Sequence, residues 1–211
     1  MTDATASTVH VVDDDALLRM ALSRLLMASG YRVVQYESAS EFLERAPSND
    51  AGCILLDIDM PGMNGLQLQD QLGDAGNALP IVFLTGRGDI RMSVRAMKAG
   101  AEDFLEKPVD TDDLFRAIER AVARCGRTHM QRGKLEVLHA QFDTLTMRER
   151  EVFYLLILGK LNKQIAHDLG NAERTVKLHR HNIFAKMQVK SVAELVMIAT
   201  QLGLMSSGER E

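Results

Sequence analysis

The chain has 211 residues, too many for one small domain and too few for two large ones, so two compact domains are expected. Hydrophobic residues make up 46% and charged residues 26%, which excludes a disordered, collagen-like or disulfide-stapled protein. No stretch approaches the roughly 20 apolar residues of a membrane span, and residues 1–8 lack a signal-peptide profile, so we expect a cytoplasmic protein with no membrane partner. Cys53 and Cys125 have no metal-ligand spacing and are expected to be buried thiols.

The formal net charge of -4 divides unevenly along the chain. Residues 1–126 hold 12 Lys and Arg against 20 Asp and Glu, for a net charge of -8, whereas residues 127–211 hold 13 against 9, for +4. A localised basic surface is the electrostatic signature of a nucleic-acid binder, although charge alone is equally compatible with a solvated face. Motifs are needed to separate these two interpretations.

The first half alternates between predicted strands and helices. Nearly continuous apolar runs, which are typical of strands covered on both faces, occupy residues 9–12, 53–56, 81–84 and 104–105, and Arg32–Tyr36 is a further candidate. Residues 18–26 and 114–122 have the apolar spacing of amphipathic helices. This alternation predicts an α/β domain built on a doubly wound, five-stranded parallel sheet.

Polar side chains follow four of the predicted strands. Open α/β sheets place their ligand sites at the carboxyl ends of the strands, so Asp13, Asp14, Asp57, Thr85 and Lys107 should converge. Three carboxylates in one crevice repel each other unless a cation lies among them, and an all-oxygen ligand set suits Mg²⁺. We therefore predict a magnesium site. The alternative is that residues 13–15 only cap the first helix, a role that Asp performs well.

Five motifs in this half resemble the receiver domain of two-component response regulators, over residues 7–125. They are VVDDD at residues 11–15, LDIDMPGMNG at 56–65, LTG at 84–86, AMKAGA at 96–101 and FLEKP at 104–108. The resemblance implies that Asp57 accepts a phosphoryl group from a partner sensor histidine kinase. It also implies that Asp13, Asp14, Asp57 and the backbone carbonyl of Asp59 hold Mg²⁺.

The same resemblance implies a conformational switch beside the acceptor. Lys107 would pair with one phosphoryl oxygen, Thr85 would donate its hydroxyl to another, and Phe104 would swing inward into the space that Thr85 leaves. The Lys107-Pro108 bond is expected to be cis. We further predict that Asp59 and Arg87 stand at the mouth of the pocket as a charge pair that gates the attacking water, with two solvated charges as the alternative.

Beyond residue 125 the sequence predicts helices only. Residues 126–143 are interpreted as a helical linker, and residues 144–205 as four short helices. Thr146 and Glu149 form a capping box that opens the first of these. Gly170 ends the second, Asn171 is expected to cap the third in place of Ala172, and Ser191 begins the fourth. The short glycine-containing turn predicts an all-α helix-turn-helix domain.

The third of these helices separates into an apolar and a basic face. Val176, Ile183 and Met187 form its core stripe, and the opposite side is cationic, which suits a DNA major groove. Arg180, Asn182 and Lys186 would reach phosphates. The complete set of predicted DNA contacts is Arg174, Thr175, Lys177, Leu178, Arg180, His181, Asn182 and Lys186.

Motifs of the second half look like the LuxR-type DNA-binding domain. They are LTMREREV at residues 145–152, Gly159, NKQIA at 162–166, TVKLH at 175–179 and KM at 186–187. Joined to a receiver, they place the chain in the FixJ/NarL group, near FixJ-like proteins. The resemblance implies dimer contacts through the last helix and through the receiver helix at residues 90–99 with the fifth strand.

We therefore expect a phosphorylation-dependent homodimer that binds a double-stranded DNA operator and activates transcription by RNA polymerase. An enzyme is one alternative, because Asp57 and Asp59 have the spacing found in aspartate-nucleophile phosphatases. Those enzymes carry the nucleophile after the first strand, whereas Asp57 follows the third, so no enzymatic activity is expected. A DNA binder that works without phosphorylation is the other alternative, and the complete set of phosphorylation residues argues against it.

Overall fold

The computed structural model describes residues 7–45, 51–75, 79–86 and 90–205. The chain divides into two compact units, with the boundary between Met130 and Gln131. Arg87 lies outside the described residues, so its pairing with Asp59 stays a prediction. Among the helices that the structure describes, none combines the length and the apolar character needed to cross a membrane.

The first unit is built on one parallel sheet. Its strands are β1 (Thr8–Val12), β2 (Arg32–Tyr36), β3 (Gly52–Asp57), β4 (Ile81–Thr85) and β5 (Asp103–Glu106), in the order β2-β1-β3-β4-β5. The connections reverse direction between β1 and β3, and such a switch point opens a crevice at the carboxyl ends of the strands. The prediction of a doubly wound, five-stranded parallel sheet is confirmed.

Helices cover both faces of this sheet. They are α1 (Ala16–Ala28), α2 (Ala39–Arg45), α3 (Gly65–Asp74), α4 (Ile90–Lys98) and α5 (Thr111–Asp143). Consecutive strand residues enter opposite cores: Leu55 packs with residues of α1 and α5, whereas Leu56 packs with residues of α2, α3 and α4. Burial on both faces explains why the central strands are almost uninterrupted apolar runs.

Both cysteines are buried thiols in the core between the sheet and helices α1 and α5, as the sequence predicts. The Gly52 N–H donates a weak hydrogen bond to Cys125 Sγ, with 3.4 Å between the nitrogen and the sulfur. Burial raises the pKa of the Cys53 thiol to about 12, and the nearby Cys125 adds to this effect. Cys53 therefore remains protonated while the first unit is folded.

The second unit consists of helices. Helix α5 continues to Asp143, so the segment 126–143 belongs to that helix. It is followed by α6 (Met147–Ile157), α7 (Asn162–Asp168), α8 (Glu173–Lys186) and α9 (Val192–Gln201). Phe142, in the last turn of α5, is buried in the same core as Phe153 of α6, Val176 of α8 and Leu195 of α9. The final turn of α5 is therefore part of the hydrophobic core of this unit.

The helix ends of the second unit follow the predictions with one exception. Thr146 and Glu149 form the predicted capping box of α6, Ser191 caps α9, and Gly170 supplies the positive φ of 63° in the turn between α7 and α8. The expectation that Asn171 caps α8 is wrong. The N-cap is Ala172, and Asn171 instead lies in the turn that closes α7, where its N–H bonds the carbonyl of Ala166 at 2.9 Å.

Candidate functional site

The carboxyl ends of four strands bring the predicted receiver residues together. Asp13 follows β1, Asp57 ends β3, Thr85 ends β4, and Lys107 follows β5. The Lys107 N–H donates to the Thr85 carbonyl at 2.7 Å, which joins the last two strand ends. Carboxylate oxygens of Asp13, Asp14 and Asp57 lie within 4.8 Å of one another. Asp13 and Asp57 are buried, whereas Asp14 is exposed.

Lys107 lies between the two buried carboxylates. Its Nζ donates a hydrogen bond to Asp13 Oδ2 at 2.8 Å and lies 3.0 Å from Asp57 Oδ1. The Lys107-Pro108 bond is cis, as expected from the resemblance. About a fifth of the Lys107 side chain is exposed, so its attraction to the carboxylates is only partly screened by water. Lys107 therefore acts as the counter-ion of a carboxylate pair.

Burial and charge shift the pKa of both partners. Burial raises the pKa of Asp57, and the neighbouring charge of Asp13 adds to this, although Lys107 acts in the opposite direction. Burial opposes the charged form of Lys107, but its attraction to the carboxylates of Asp13 and Asp57 outweighs this effect and raises the pKa of Lys107. Lys107 thus stays cationic, and the ionised form of Asp57 depends on a nearby cation.

The loop after β1 is held by contacts at both of its ends. The Asp15 N–H donates to Asp13 Oδ1 at 2.9 Å, and Arg19 Nη1 donates to the Asp13 carbonyl at 2.5 Å. Asp15 caps α1 by accepting from the N–H groups of Leu17 and Leu18. The capping role is therefore filled by Asp15. No sequence pattern indicated the contact of Arg19, which lies in the first turn of α1.

The cluster formed by the carboxylates of Asp13, Asp14 and Asp57 fits a magnesium ion. All the available ligand atoms are carboxylate oxygens, which hard divalent cations prefer. Asp57 Oδ1 is buried and has no hydrogen bond of favourable geometry within the described part of the chain, so a lone pair remains for a metal. Asp59, whose backbone carbonyl was the fourth predicted ligand, lies exposed just beyond β3.

The two predicted switch residues lie on adjacent strands. Thr85 is fully buried at the end of β4, and Phe104 on β5 is half-buried in register with Phe83. The rings of Phe83 and Phe104 are 6.3 Å apart between centroids. A movement of Thr85 would therefore occur next to the strand that carries Phe104, but the coupling itself stays a prediction.

Gly65 fixes the approach of α3 to strand β3. Its N–H donates to the Ile58 carbonyl at 3.0 Å. A Cβ at this position would lie 2.3 Å from the Asp57 carbonyl oxygen, closer than any side-chain carbon can come. The sequence places Gly65 in a receiver motif, but its contact with the backbone of Asp57 is visible only in the structure.

Helix α8 presents the predicted cationic face. Arg174, Lys177, Leu178 and His181 are exposed, and 58% of Leu178 is accessible. Val176, Ile183 and Met187 are buried on the opposite face, as the spacing predicts. Thr175, Arg180 and Asn182 are half-buried. Arg180 bonds Asn162 Oδ1 at 3.4 Å and stacks over the Phe184 ring at 5.1 Å.

Lys186 makes contacts inside the second unit that the sequence did not predict, and its predicted phosphate contact stays a prediction. Its Nζ donates to Glu149 Oε2 at 2.6 Å and to the Thr144 carbonyl at 3.0 Å. Glu149 is 3% exposed, so its carboxylate requires a cationic partner inside the domain. We therefore assign Lys186 a structural role. The sequence missed this contact because Glu149 was explained by its capping box, and the partner lies 37 residues further along the chain.

A Glu149→Gln variant is expected to lower the free energy of unfolding of the second unit by about 1–3 kcal/mol at pH 7. Burial works against the Glu149 carboxylate, but bonds from Lys186 and Thr146 outweigh it and hold the pKa of Glu149 below its ordinary 4.5. The ionised carboxylate stabilises the second unit fully at pH values above 4.5. This stabilisation is lost as the pH falls through the lower pKa that Glu149 has in the folded state.

Thermal unfolding at several pH values checks this prediction. The difference between wild type and Glu149→Gln should shrink below about pH 4.5, and a difference that stays constant down to pH 3 would contradict it. Glu151→Gln is the matched control, because Glu151 pairs with Arg148 at the exposed surface and its loss should change stability by no more than about 0.5 kcal/mol.

Comparisons with known proteins identify one family for each half of the chain. The family described as response regulator receiver domain matches residues 9–119, and the family of bacterial regulatory proteins of the luxR type matches residues 143–199. The chain belongs to the LuxR-type response regulators. The matched families consist of transcriptional response regulators and not of enzymes, so the phosphatase alternative has no support.

The similarity to known regulators extends over almost the whole length of the chain. It is 41% identical to the response regulator protein TmoT of Ectopseudomonas mendocina, over 93% of this chain and 89% of that protein. It is 40% identical to the transcriptional regulatory protein FixJ of Azorhizobium caulinodans, over 93% of each chain. The solved structure of response regulator StyR is 46% identical with a TM-score of 0.85, covering 93% of this chain and 99% of that one. Full-length FixJ from B. japonicum is 36% identical with a TM-score of 0.57, covering 95% and 98%.

Proposed function

We propose that a sensor histidine kinase phosphorylates this regulator on Asp57, and that the phosphorylated homodimer binds an operator and activates transcription by RNA polymerase. The observation that carries the proposal is the position of Asp57. Its carboxylate ends β3, beside two further carboxylates and 3.0 Å from Lys107 Nζ. A carboxylate is a competent nucleophile toward phosphorus where cations neutralise the charge on the transferring oxygens.

The phosphoryl group would pass directly from the kinase to Asp57. A carboxylate oxygen of Asp57 attacks the phosphorus of a phosphohistidine, and the bond between phosphorus and nitrogen breaks. The electron pair of that bond returns to the imidazole nitrogen, which takes up a proton from solvent. The product is an acyl phosphate on Asp57 and a neutral histidine on the kinase. Asp57 has to be ionised for this attack, and Lys107 favours the ionised form.

The other pocket residues would support this transfer. Asp13, Asp14, Asp57 and the carbonyl of Asp59 would hold Mg²⁺, which neutralises negative charge on the phosphoryl oxygens when it is bound. Lys107 is long enough and sufficiently exposed to turn from Asp57 to a phosphoryl oxygen while it keeps its bond to Asp13. Thr85 would donate its hydroxyl to a second oxygen from the end of β4.

Dimerisation would follow through the receiver surface that contains α4. Ile90, Val94 and Met97 on this helix are 78%, 46% and 46% exposed, although all three are apolar. An exposed apolar surface of this kind is typical of a protein–protein contact. A movement of Thr85 and Phe104 would change the end of β4 and the neighbouring β5, and α4 connects these two strands. The switch would thereby alter the surface used for pairing.

DNA recognition would use the exposed face of α8. Arg174, Lys177, Leu178 and His181 would meet base edges in the major groove, with Leu178 suited to a thymine methyl group. Thr175, Arg180 and Asn182 lie beside this face and would contact the sugar-phosphate backbone, which positions a helix without specifying sequence. A dimer would present two such helices to half-sites about one helical turn apart.

The mass of the full chain measured by light scattering tests the phosphorylation proposal. Wild-type protein is expected to be a monomer that becomes a dimer on addition of a small phosphoryl donor and Mg²⁺. Asp57→Asn removes the nucleophile and preserves the side-chain shape, so it should remain monomeric. Asp74→Asn is the matched control, because it neutralises an exposed carboxylate at the C-terminal end of α3 and leaves every pocket residue in place.

Two results would contradict the proposal. Equal dimerisation of wild type and Asp57→Asn on adding the donor would mean that Asp57 is not the switch. A wild-type mass that stays constant, while intact-mass spectrometry detects one phosphoryl group per chain, would mean that phosphorylation does not drive dimerisation of the free protein.

A further inference from the structure

Two cations bind the end of helix α5 and the turn that follows it. Lys186 Nζ, from the end of α8, donates to the Thr144 carbonyl at 3.0 Å. Arg150, from α6, donates from Nε to the Leu145 carbonyl at 3.2 Å and from Nη2 to Asp143 Oδ1 at 3.1 Å. Arg150 Nη2 also donates to the carbonyl of Asp143, the last residue of α5, at 3.4 Å. A cation there partners an unpaired helix carbonyl and interacts favourably with the helix dipole. The end of α5 is therefore bound to both α6 and α8.

Glu149 joins the same contacts from the start of α6. Its Oε2 accepts from Lys186 Nζ at 2.6 Å and from the Thr146 N–H at 2.8 Å. Because Glu149 is buried, it cannot touch DNA, and its partner Lys186 is the last residue of α8. One buried carboxylate thus fixes the C-terminal end of the recognition helix to the N-terminal end of α6.

The contacts of Lys186 restrict the orientation of α8 within the second unit. Its N-cap, Ala172, provides no side-chain hydrogen bond, so the polar contacts at this end of the helix are weaker than those at Lys186. Val176 and Ile183 hold the helix against the core, but apolar contacts are non-directional and tolerate small rotations. The bonds from Lys186 to Glu149 and to the Thr144 carbonyl are directional, and they restrict such a rotation.

We propose that Glu149 and Lys186 are positioning residues for sequence-specific DNA binding, which set the orientation of α8 without contacting the DNA. This inference rests on the proposed DNA-binding function of α8. Its consequence is that loss of either residue lowers the preference for the correct sequence, whereas binding to any duplex through phosphate contacts is retained. A direct phosphate contact by Lys186 would have the opposite effect, because it contributes equally on every sequence.

The test compares three variants of the full chain, all treated with the same phosphoryl donor and Mg²⁺. The probes are a duplex that the wild type enriches from a random-sequence pool and a scrambled duplex of the same composition. Lys186→Met and Glu149→Gln remove the two partners, and Lys177→Met removes the same charge from the exposed face of α8. Affinity is measured for both probes over a range of salt concentrations, at a temperature where circular dichroism finds every variant folded.

Lys186→Met and Glu149→Gln should each lower the affinity for the enriched duplex by about tenfold, a typical cost of losing one good base contact. The affinity for the scrambled duplex and the salt dependence should not change. A further variant that carries both Lys186→Met and Glu149→Gln should bind the enriched duplex no more weakly than the weaker-binding of the two single variants, because both substitutions break the same bond. Lys177→Met should instead weaken binding to the scrambled duplex as well as to the enriched one, because the exposed charge of Lys177 adds to the attraction between the protein and any duplex.

Several outcomes would overturn the proposal. If Lys186→Met reduces the salt slope by about one and weakens both probes equally, Lys186 contacts a phosphate. If Glu149→Gln leaves the ratio of the two affinities unchanged while the protein is folded, the carboxylate has only a stabilising role. Should Lys186→Met fail to fold, Lys186→Arg decides, since it keeps the charge and should retain most of the preference that Glu149→Gln loses. A wild type that enriches no sequence would instead refute the proposed function itself.

Discussion

A Gly65→Ala variant should be phosphorylated by a small phosphoryl donor about a hundredfold more slowly than wild type. The added Cβ would lie 2.3 Å from the Asp57 carbonyl oxygen and 3.1 Å from Ile58 Cα. Both neighbours are backbone atoms, so neither can move aside by a change of rotamer. Either α3 or the end of β3 must shift, and a misplacement of about 1 Å at a reacting group costs on the order of a hundredfold in rate.

Intact-mass spectrometry of the phosphorylated fraction over time measures this effect. The matched control is Gly73→Ala in the same helix, where a Cβ meets no atom within 4 Å. That substitution should leave the rate unchanged and stabilise the receiver by about 0.5–1 kcal/mol, because alanine loses less conformational entropy than glycine in a helix. Equal rates for Gly65→Ala and wild type would mean that α3 accommodates the methyl group without moving Asp57.

A Lys107→Met variant should lower the free energy of unfolding of the receiver by about 2–4 kcal/mol at pH 7 without Mg²⁺. Methionine fills similar space, but it leaves Asp13 and Asp57 buried without their counter-ion. Removal of one partner from a buried ion pair typically costs about 3–5 kcal/mol, and the partial exposure of Lys107 reduces this figure.

Magnesium and pH distinguish this cause from a simple packing defect. Saturating Mg²⁺ should recover most of the lost stability of Lys107→Met, since a bound cation takes over the neutralisation of the carboxylates. Without the metal, the deficit should shrink as pH falls toward the ordinary range of carboxyl groups, because the pKa of Asp57 is already raised and rises further without Lys107. Denaturant unfolding with and without Mg²⁺ measures both effects.

An exposed lysine provides the control for charge alone. Lys98→Met removes a positive charge from the surface of α4 and should change stability by no more than about 0.5 kcal/mol under every condition. A Lys107→Met deficit that is independent of both Mg²⁺ and pH would contradict the counter-ion role.

The receiver site could be predicted because strand ends are marked in the sequence. Each buried strand is an apolar run, and the polar residues that directly follow it must lie at the carboxyl edge of the sheet. Asp13, Asp57, Thr85 and Lys107 were found in this way. Distances within the site could not be predicted, since the bond of Lys107 to Asp13 depends on the path of the loop after β5.

The second unit was predicted less completely, for reasons visible at particular residues. The spacing of Val176, Ile183 and Met187 correctly defined the buried face of α8, because helical periodicity is a local property. The contact of Lys186 inside the second unit was missed, because a basic residue at the edge of a cationic face resembles a phosphate contact. Only the tertiary structure places Glu149 beside it. The cap of α8 was misplaced by one residue, since the turn after α7 takes up Asn171.

Chemical labelling of the two buried thiols measures how often the receiver opens. Thiol reagents attack the thiolate form, and burial together with a pKa of about 12 leaves Cys53 almost entirely protonated and shielded while the domain is folded. Both cysteines of the chain belong to the receiver, so labelling cannot arise from the DNA-binding unit. The rate of labelling therefore follows the opening of the receiver alone, in an intact chain that contains no added probe.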